Sequence, residues 1–200
     1  MSNVFEFVAE SRGQSGKSAA KRARRIGNVP AVIYGGHKEP QMLMLNHNEV
    51  IKHLEHEAVY SHVLDVTVDG KTEKAILKGV QRNPARFQVQ HLDFLRVDMT
   101  ETVKVHVPLH FTNENIGVGG KKGGIAAHSM TDVEVTCLPS ALPEYIEVDL
   151  STLDIGETLH LSDLVLPAGV SLVVLAQGPE HNLPVVSMMA SKATKDDTAA

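Results

Sequence analysis

Two hundred residues suit one large domain or two smaller ones that fold without covalent staples, and the single cysteine, Cys137, excludes an intrachain disulfide. The net charge of −5 hides an asymmetry: residues 1–100 carry 14 Lys or Arg against 11 Asp or Glu, and residues 101–200 carry five against 13. The first half therefore suits a polyanion and the second is repelled by one.

The opening MSNVFEFVAE lacks a charged start followed by an apolar run, and no stretch approaches the roughly twenty apolar residues of a membrane span, so a cytoplasmic protein without a membrane partner is expected. Val4 to Glu10 alternates as a strand. Between Arg12 and Arg25 lie six cations (Arg12, Lys17, Lys21, Arg22, Arg24 and Arg25) and no acid. From Lys17 to Ile26, Ala19, Ala23 and Ile26 recur at helical spacing and Lys17, Lys21 and Arg24 take another face, while Gly27 and Pro30 stop the helix. A strand at Pro30–Tyr34, a Gly35-Gly36 turn and a strand at Met42–Leu45 follow. Asn46 is placed to cap a helix over His47–Ala58 with Val50, Ile51 and Leu54 buried. Asp69-Gly70 signals a hairpin between Val63–Val68 and Thr72–Val80, and Gln88–Val97 is a further strand. Short strands with two helices between them predict a small barrel or a curved antiparallel sheet.

Past Thr100 the pattern becomes all-β. Val103, Val105, Val107, Leu109 and Phe111 alternate with polar residues, as do Val133, Val135 and Cys137, and Ile146, Val148 and Leu150. Gly117 to Gly124, GVGGKKGG, reads as a flexible, solvated hairpin loop. From Ser187 onward the chain is small and polar, and disorder is expected. The expected fold is mainly β with a few helices: an α+β barrel-like domain over 1–98, an all-β domain over 99–187 and a tail over 188–200.

Three chemistries compete for the basic stretch and its neighbours. GQSGKS ends like a phosphate-binding loop, but Ser11 stands where that motif needs its first Gly, and the strand with a magnesium-binding Asp is missing. His53 and His56 are three apart rather than the four of a helical zinc pair, so a solvated helix face is expected and no metal. No nucleophilic constellation has local support, and no catalytic residue, cofactor or small-molecule substrate is assigned. Nucleic acid fits best, since Lys and Arg neutralise phosphates and release counterions. Tyr34 ends a strand at the Gly-Gly turn, where its ring and hydroxyl are placed to meet a ribose or base. In VQRNPARFQVQHLDF, His91 and Asp93 are two apart and share one face of a strand, a donor and acceptor pair suited to base edges and 2′-hydroxyls, with Gln81 and Arg82 expected to join them across a neighbouring strand.

GKSAAKRARRIGNVPAVIYGG, the Asp69-Gly70 hairpin and VQRNPARFQVQHLDF together resemble the bacterial large-subunit ribosomal protein twenty-five family, binders of 5S ribosomal RNA. The whole chain is similar to its long form, called general stress protein Ctc, in which a second β domain follows the first. The resemblance implies a small barrel that binds loop E of 5S ribosomal RNA along a widened minor groove. Arg12, Lys17, Lys21, Arg22 and Arg24 would contact phosphates and sugars, Tyr34 would pack at the same surface, and Gln81, Arg82, His91 and Asp93 would reach the groove. Ala20 departs from the hydroxyl residue frequent in the short form. The implied partners are 5S ribosomal RNA and the large subunit, including 23S ribosomal RNA and neighbouring ribosomal proteins. The alternative is a stress-related RNA-binding adaptor acting partly off the ribosome.

Overall fold

The computed structural model describes residues 5–190 of the chain. In β1 (Glu6–Ser11) Phe7 and Ala9 point inward and Glu6, Val8 and Glu10 outward, the period of two that a pleated strand imposes; Val4, expected to begin this strand, lies outside the described residues. Helix α1 (Lys17–Arg25) stops before Gly27, whose φ of 84° is the left-handed conformation that closes a helix C-terminus. Strands β2 (Asn28–Gly35) and β3 (Lys38–Asn46) form an antiparallel hairpin through Gly35, Gly36 and His37, all at positive φ. Asn46 caps α2 (His47–Leu54) by accepting a hydrogen bond from the Asn48 N–H at 3.0 Å. The continuous helix expected to Ala58 instead ends at Leu54, and a separate turn, α3 (Ala58–Ser61), follows. Val59, five residues after Leu54, falls off the helical stripe, and the break brings it into the core. Of the two histidines expected on a solvated face, His56 is exposed beside Phe5, whereas His53 is half-buried against Phe7, ring centroids 4.7 Å apart.

Strands β4 (Leu64–Val68) and β5 (Lys71–Arg82) meet at Asp69-Gly70, where φ values of 48° and 83° are the two positive angles that a two-residue hairpin turn requires. With β6 (Val89–Arg96) the sheet closes into a barrel, order β1-β3-β2-β6-β5-β4. Two of its pairings are parallel, β1 with β4 and β2 with β6, so the closed barrel is mixed rather than a curved antiparallel sheet. Inward residues from every strand fill it, and Phe7 meets Phe94 edge to face at 5.6 Å.

The chain divides into two compact units, one running through Val103 and taking in Leu138–Leu142, the other holding Lys104–Cys137 and the chain from Pro143. The second contains β7 (Val103–Thr112) from its second residue on, a helical turn α4 (Val118–Lys121), β8 (Gly124–His128), β9 (Asp132–Cys137), β10 (Ile146–Asp149), β11 (Thr158–His160), β12 (Ser171–Leu172) and β13 (Pro184–Ala190). One sheet has the order β10-β7-β9-β12 and the other β11-β13-β8. The alternating residues read from the sequence are its interior: Val105, Val107, Val133, Val135, Cys137, Ile146, Val148 and Leu150 are buried.

Two expectations fail here. Ser187 to Ala190, expected as the start of a disordered tail, belong to β13, the middle strand of the second sheet, with Met188 buried; residues 191–200 lie outside the described residues. GVGGKKGG is a packed turn rather than a solvated loop. A Cβ on Gly117 would fall 2.5 Å from the Leu150 carbonyl oxygen, one on Gly119 2.7 Å from Met188 Cγ, and one on Gly120 would overlap the Glu114 carbonyl oxygen. Gly120→Ala should therefore lower the stability of this unit by roughly 1–3 kcal/mol, seen as a lower thermal midpoint, whereas an unmoved midpoint would show that the turn yields freely.

Candidate nucleic-acid interface

Helix α1 lies on β2 with Ala23 buried and Ala19 and Ala20 half-buried. Ile26, expected on this apolar side, is 68% exposed, because it caps the helix outside the regular turns. Lys17, Lys21, Arg22, Arg24 and Arg25 are all exposed, and none forms an ion pair among the described residues. Some exposed lysines elsewhere are paired, Lys38 with Glu73, Lys74 with Asp65 and Lys122 with Asp154. The five cations of α1 thus form an exposed cluster without a counter-charge among the described residues. Arg12 sits half-buried in a cleft with Arg22, Ala19 and Met44, and its Nε and Nη1 have no hydrogen-bond partner among the described residues. A desolvated guanidinium with unused donors is suited to a charged acceptor such as a phosphate oxygen.

On β6, Leu92 and Phe94 fill the core, so His91 and Asp93 face outward. His91 Nδ1 lies 3.2 Å from Asp93 Oδ1. Register brings Gln81 and Gly79 of β5 opposite His91 and Asp93, and parallel pairing sets Val32 and Tyr34 of β2 opposite Asp93 and Leu95. Gly79 leaves room for the carboxylate, since a Cβ there would stand 3.1 Å from Asp93 Oδ2. Burial, and then the nearby Asp93 charge, pushes the Tyr34 phenol above its ordinary value, which marks the hydroxyl as lying close to the Asp93 carboxylate. Tyr34, Gln81, His91 and Asp93 therefore meet on one outer patch of the barrel.

Arg82 does not join them. The ladder shifts between Gln81 and Arg82, and Arg82 Nη2 donates to the Tyr60 hydroxyl at 2.6 Å, on the side of α2 and α3. The patch and the cationic helix are instead linked by Arg24, whose Nε donates to the Gln90 carbonyl at 3.0 Å, one residue before His91. Arg25, named in the basic cluster but not among the expected contacts, is as exposed as its neighbours, and Gly79 was not singled out although a glycine inside a strand pattern marks close approach.

Residues 7–94 match the Ribosomal L25p family, and residues 102–192 match the family described as Ribosomal protein TL5, C-terminal domain. The chain is 57% identical over 192 residues to the large ribosomal subunit protein bL25 of Methylococcus capsulatus, an alignment covering 96% of this chain and 95% of that one. The chain belongs to the bL25 family. The bL25 of Cellvibrio japonicus is 49% identical over 202 residues with both chains covered in full, and that of Nitrosococcus oceani 46% identical over 204 residues, covering 100% of this chain and 95% of its own. The resemblance carried by three stretches of the first half thus extends over both halves, and the bL25 family is one of ribosomal proteins, not enzymes. Barrel first and second β unit after it is the architecture expected.

Proposed function

We propose that this bL25-family chain is a structural constituent of the large ribosomal subunit in the cytoplasm, and that residues 1–98 bind 5S ribosomal RNA along the widened minor groove of its loop E. The observation that carries the reading is the Arg24 bridge, which sets the unneutralised cations of α1 beside the Tyr34, Gln81, His91 and Asp93 patch. Cations of this kind hold phosphates by releasing counterions, and a mixed donor and acceptor patch suits the 2′-hydroxyls and base edges of an irregular RNA helix. Residues 101–200, with five Lys or Arg against 13 Asp or Glu, face ribosomal proteins rather than the RNA backbone. The direct test is a gel shift of the full chain with 5S ribosomal RNA against an unrelated RNA of equal length; equal affinities would refute it.

Asp93 separates recognition from charge. Asp93→Asn should weaken 5S ribosomal RNA by about 1–3 kcal/mol, the cost of a polar partner left unpaired. Non-cognate RNA should bind as before or better, because a negative charge leaves a surface facing phosphates. Parallel losses for both RNAs together with a lower melting temperature would instead assign Asp93 to the stability of the barrel.

A further inference from the structure

The β5–β6 loop, Asn83–Gln88, carries groups that the face described above leaves unused. Phe87 is fully exposed. The loop is nonetheless closed by its own hydrogen bonds, Asn83 N–H to the Gln88 carbonyl at 2.9 Å and Ala85 N–H to Asn83 Oδ1 at 3.0 Å, so the ring is presented rather than frayed outward. Beside it lies a groove of about 360 Å³ with Ile51, Leu54, Pro84 and Val89 along it, and with Arg82 and Arg86 in its lining. Arg82 is held in place by the Tyr60 hydroxyl. Glu55 is the one acid among the described lining residues. The groove and the patch are neighbours along β6: Val89 lines the groove, the Gln90 carbonyl receives Arg24, and His91 follows.

We propose that this groove takes one unstacked nucleotide of the bound RNA, its base lying on the Phe87 ring over the apolar floor and its phosphate on Arg86. The inference rests on the RNA reading above. An apolar floor calls for a flat ring and a cationic lining for an anion, and a single unpaired nucleotide offers both within one residue. It also gives Arg82 a place in recognition, in the groove lining rather than beside Gln81, His91 and Asp93.

The test measures full-chain affinity for 5S ribosomal RNA in four variants, with melting temperature beside each. Phe87→Ala should weaken binding roughly 5- to 150-fold, the range for losing one base stack, at an unchanged melting temperature because the ring is exposed. Phe87→Trp should bind at least as tightly as the parent, and Phe87→Leu should fall with Ala, since it keeps the apolar character and loses the stacking surface. Arg22→Ala/Arg24→Ala serves as the control for the RNA face itself. If that control weakens binding while Phe87→Ala does not, the groove assignment is wrong and the RNA reading stands; if the control leaves affinity unchanged, the RNA reading falls and the groove with it. A Phe87→Ala chain that keeps its RNA affinity but no longer co-sediments with large subunits would mean that a protein occupies the groove, and Phe87→Leu matching the parent would rule out stacking.

Discussion

Replacing Glu73 by Ala should destabilise the barrel by about 3–5 kcal/mol, the cost of leaving a buried charge without its partner. Arg96, only 8% exposed, donates from Nε to Glu73 Oε2 at 2.5 Å and from Nη1 to the Ile33, Gly35 and Glu39 carbonyls at 3.5, 3.4 and 3.3 Å. Those carbonyls supply partial charge alone, so Glu73 is its counterion. The exposed Lys38 bonds the other carboxylate oxygen at 2.7 Å. The Arg96 hydrogen bond first, and Lys38 second, hold the Glu73 carboxyl below the ordinary carboxylate range. A folded pKa below the unfolded value of about 4.3 gives a contribution that is fully present above that value and lost as pH falls through the folded one. The urea midpoints of the parent and Glu73→Gln should thus lie far apart at pH 7 and converge in acid. Arg96→Met/Glu73→Leu should recover most of the loss, because neither charge then remains buried. A Glu73→Ala loss under about 1 kcal/mol, or a gap indifferent to pH, would mean that solvent already screens the pair.

What the sequence disclosed was local. Asp69-Gly70, the Asn46 cap and the alternation of β7, β9 and β10 each follow from a few neighbouring residues, and each is where it was expected. Barrel closure was not local. It depends on the parallel pairing of β1 with β4, nearly sixty residues apart in the chain, and no turn residue announces such a pairing. The same limit divided the candidate patch. His91 and Asp93 share a face by simple alternation, but the approach of Tyr34 to Asp93 needs the parallel β2–β6 register, and Arg82, the immediate neighbour of Gln81 in its strand, was placed on the same patch against that alternation and bonds the Tyr60 hydroxyl instead. GVGGKKGG misled for a related reason: glycine marks both a solvated loop and a turn too crowded for side chains, and only the packed neighbours Leu150 and Met188 tell them apart.

Neutralising the cationic side of α1 should do most to RNA binding. In Lys17→Ala/Lys21→Ala/Arg22→Ala/Arg24→Ala, four exposed cations leave the helix at once, all of them without ion pairs among the described residues. At about 0.7–0.9 released counterions per phosphate contact, the slope of log affinity against log salt should flatten by roughly 3, and affinity near 0.15 M salt should fall by two to three orders of magnitude. The helix itself should survive, since alanine has the highest helix propensity and Ala23 still packs inward, so circular dichroism should be unchanged. Lys74→Ala provides the contrast. Lys74 is already paired with Asp65 at 3.0 Å, so its loss should leave the slope nearly where it was. A quadruple variant whose slope moves by less than one contact would remove α1 from the interface, and an equal response to Lys74→Ala would mean that the affinity follows total charge rather than this helix.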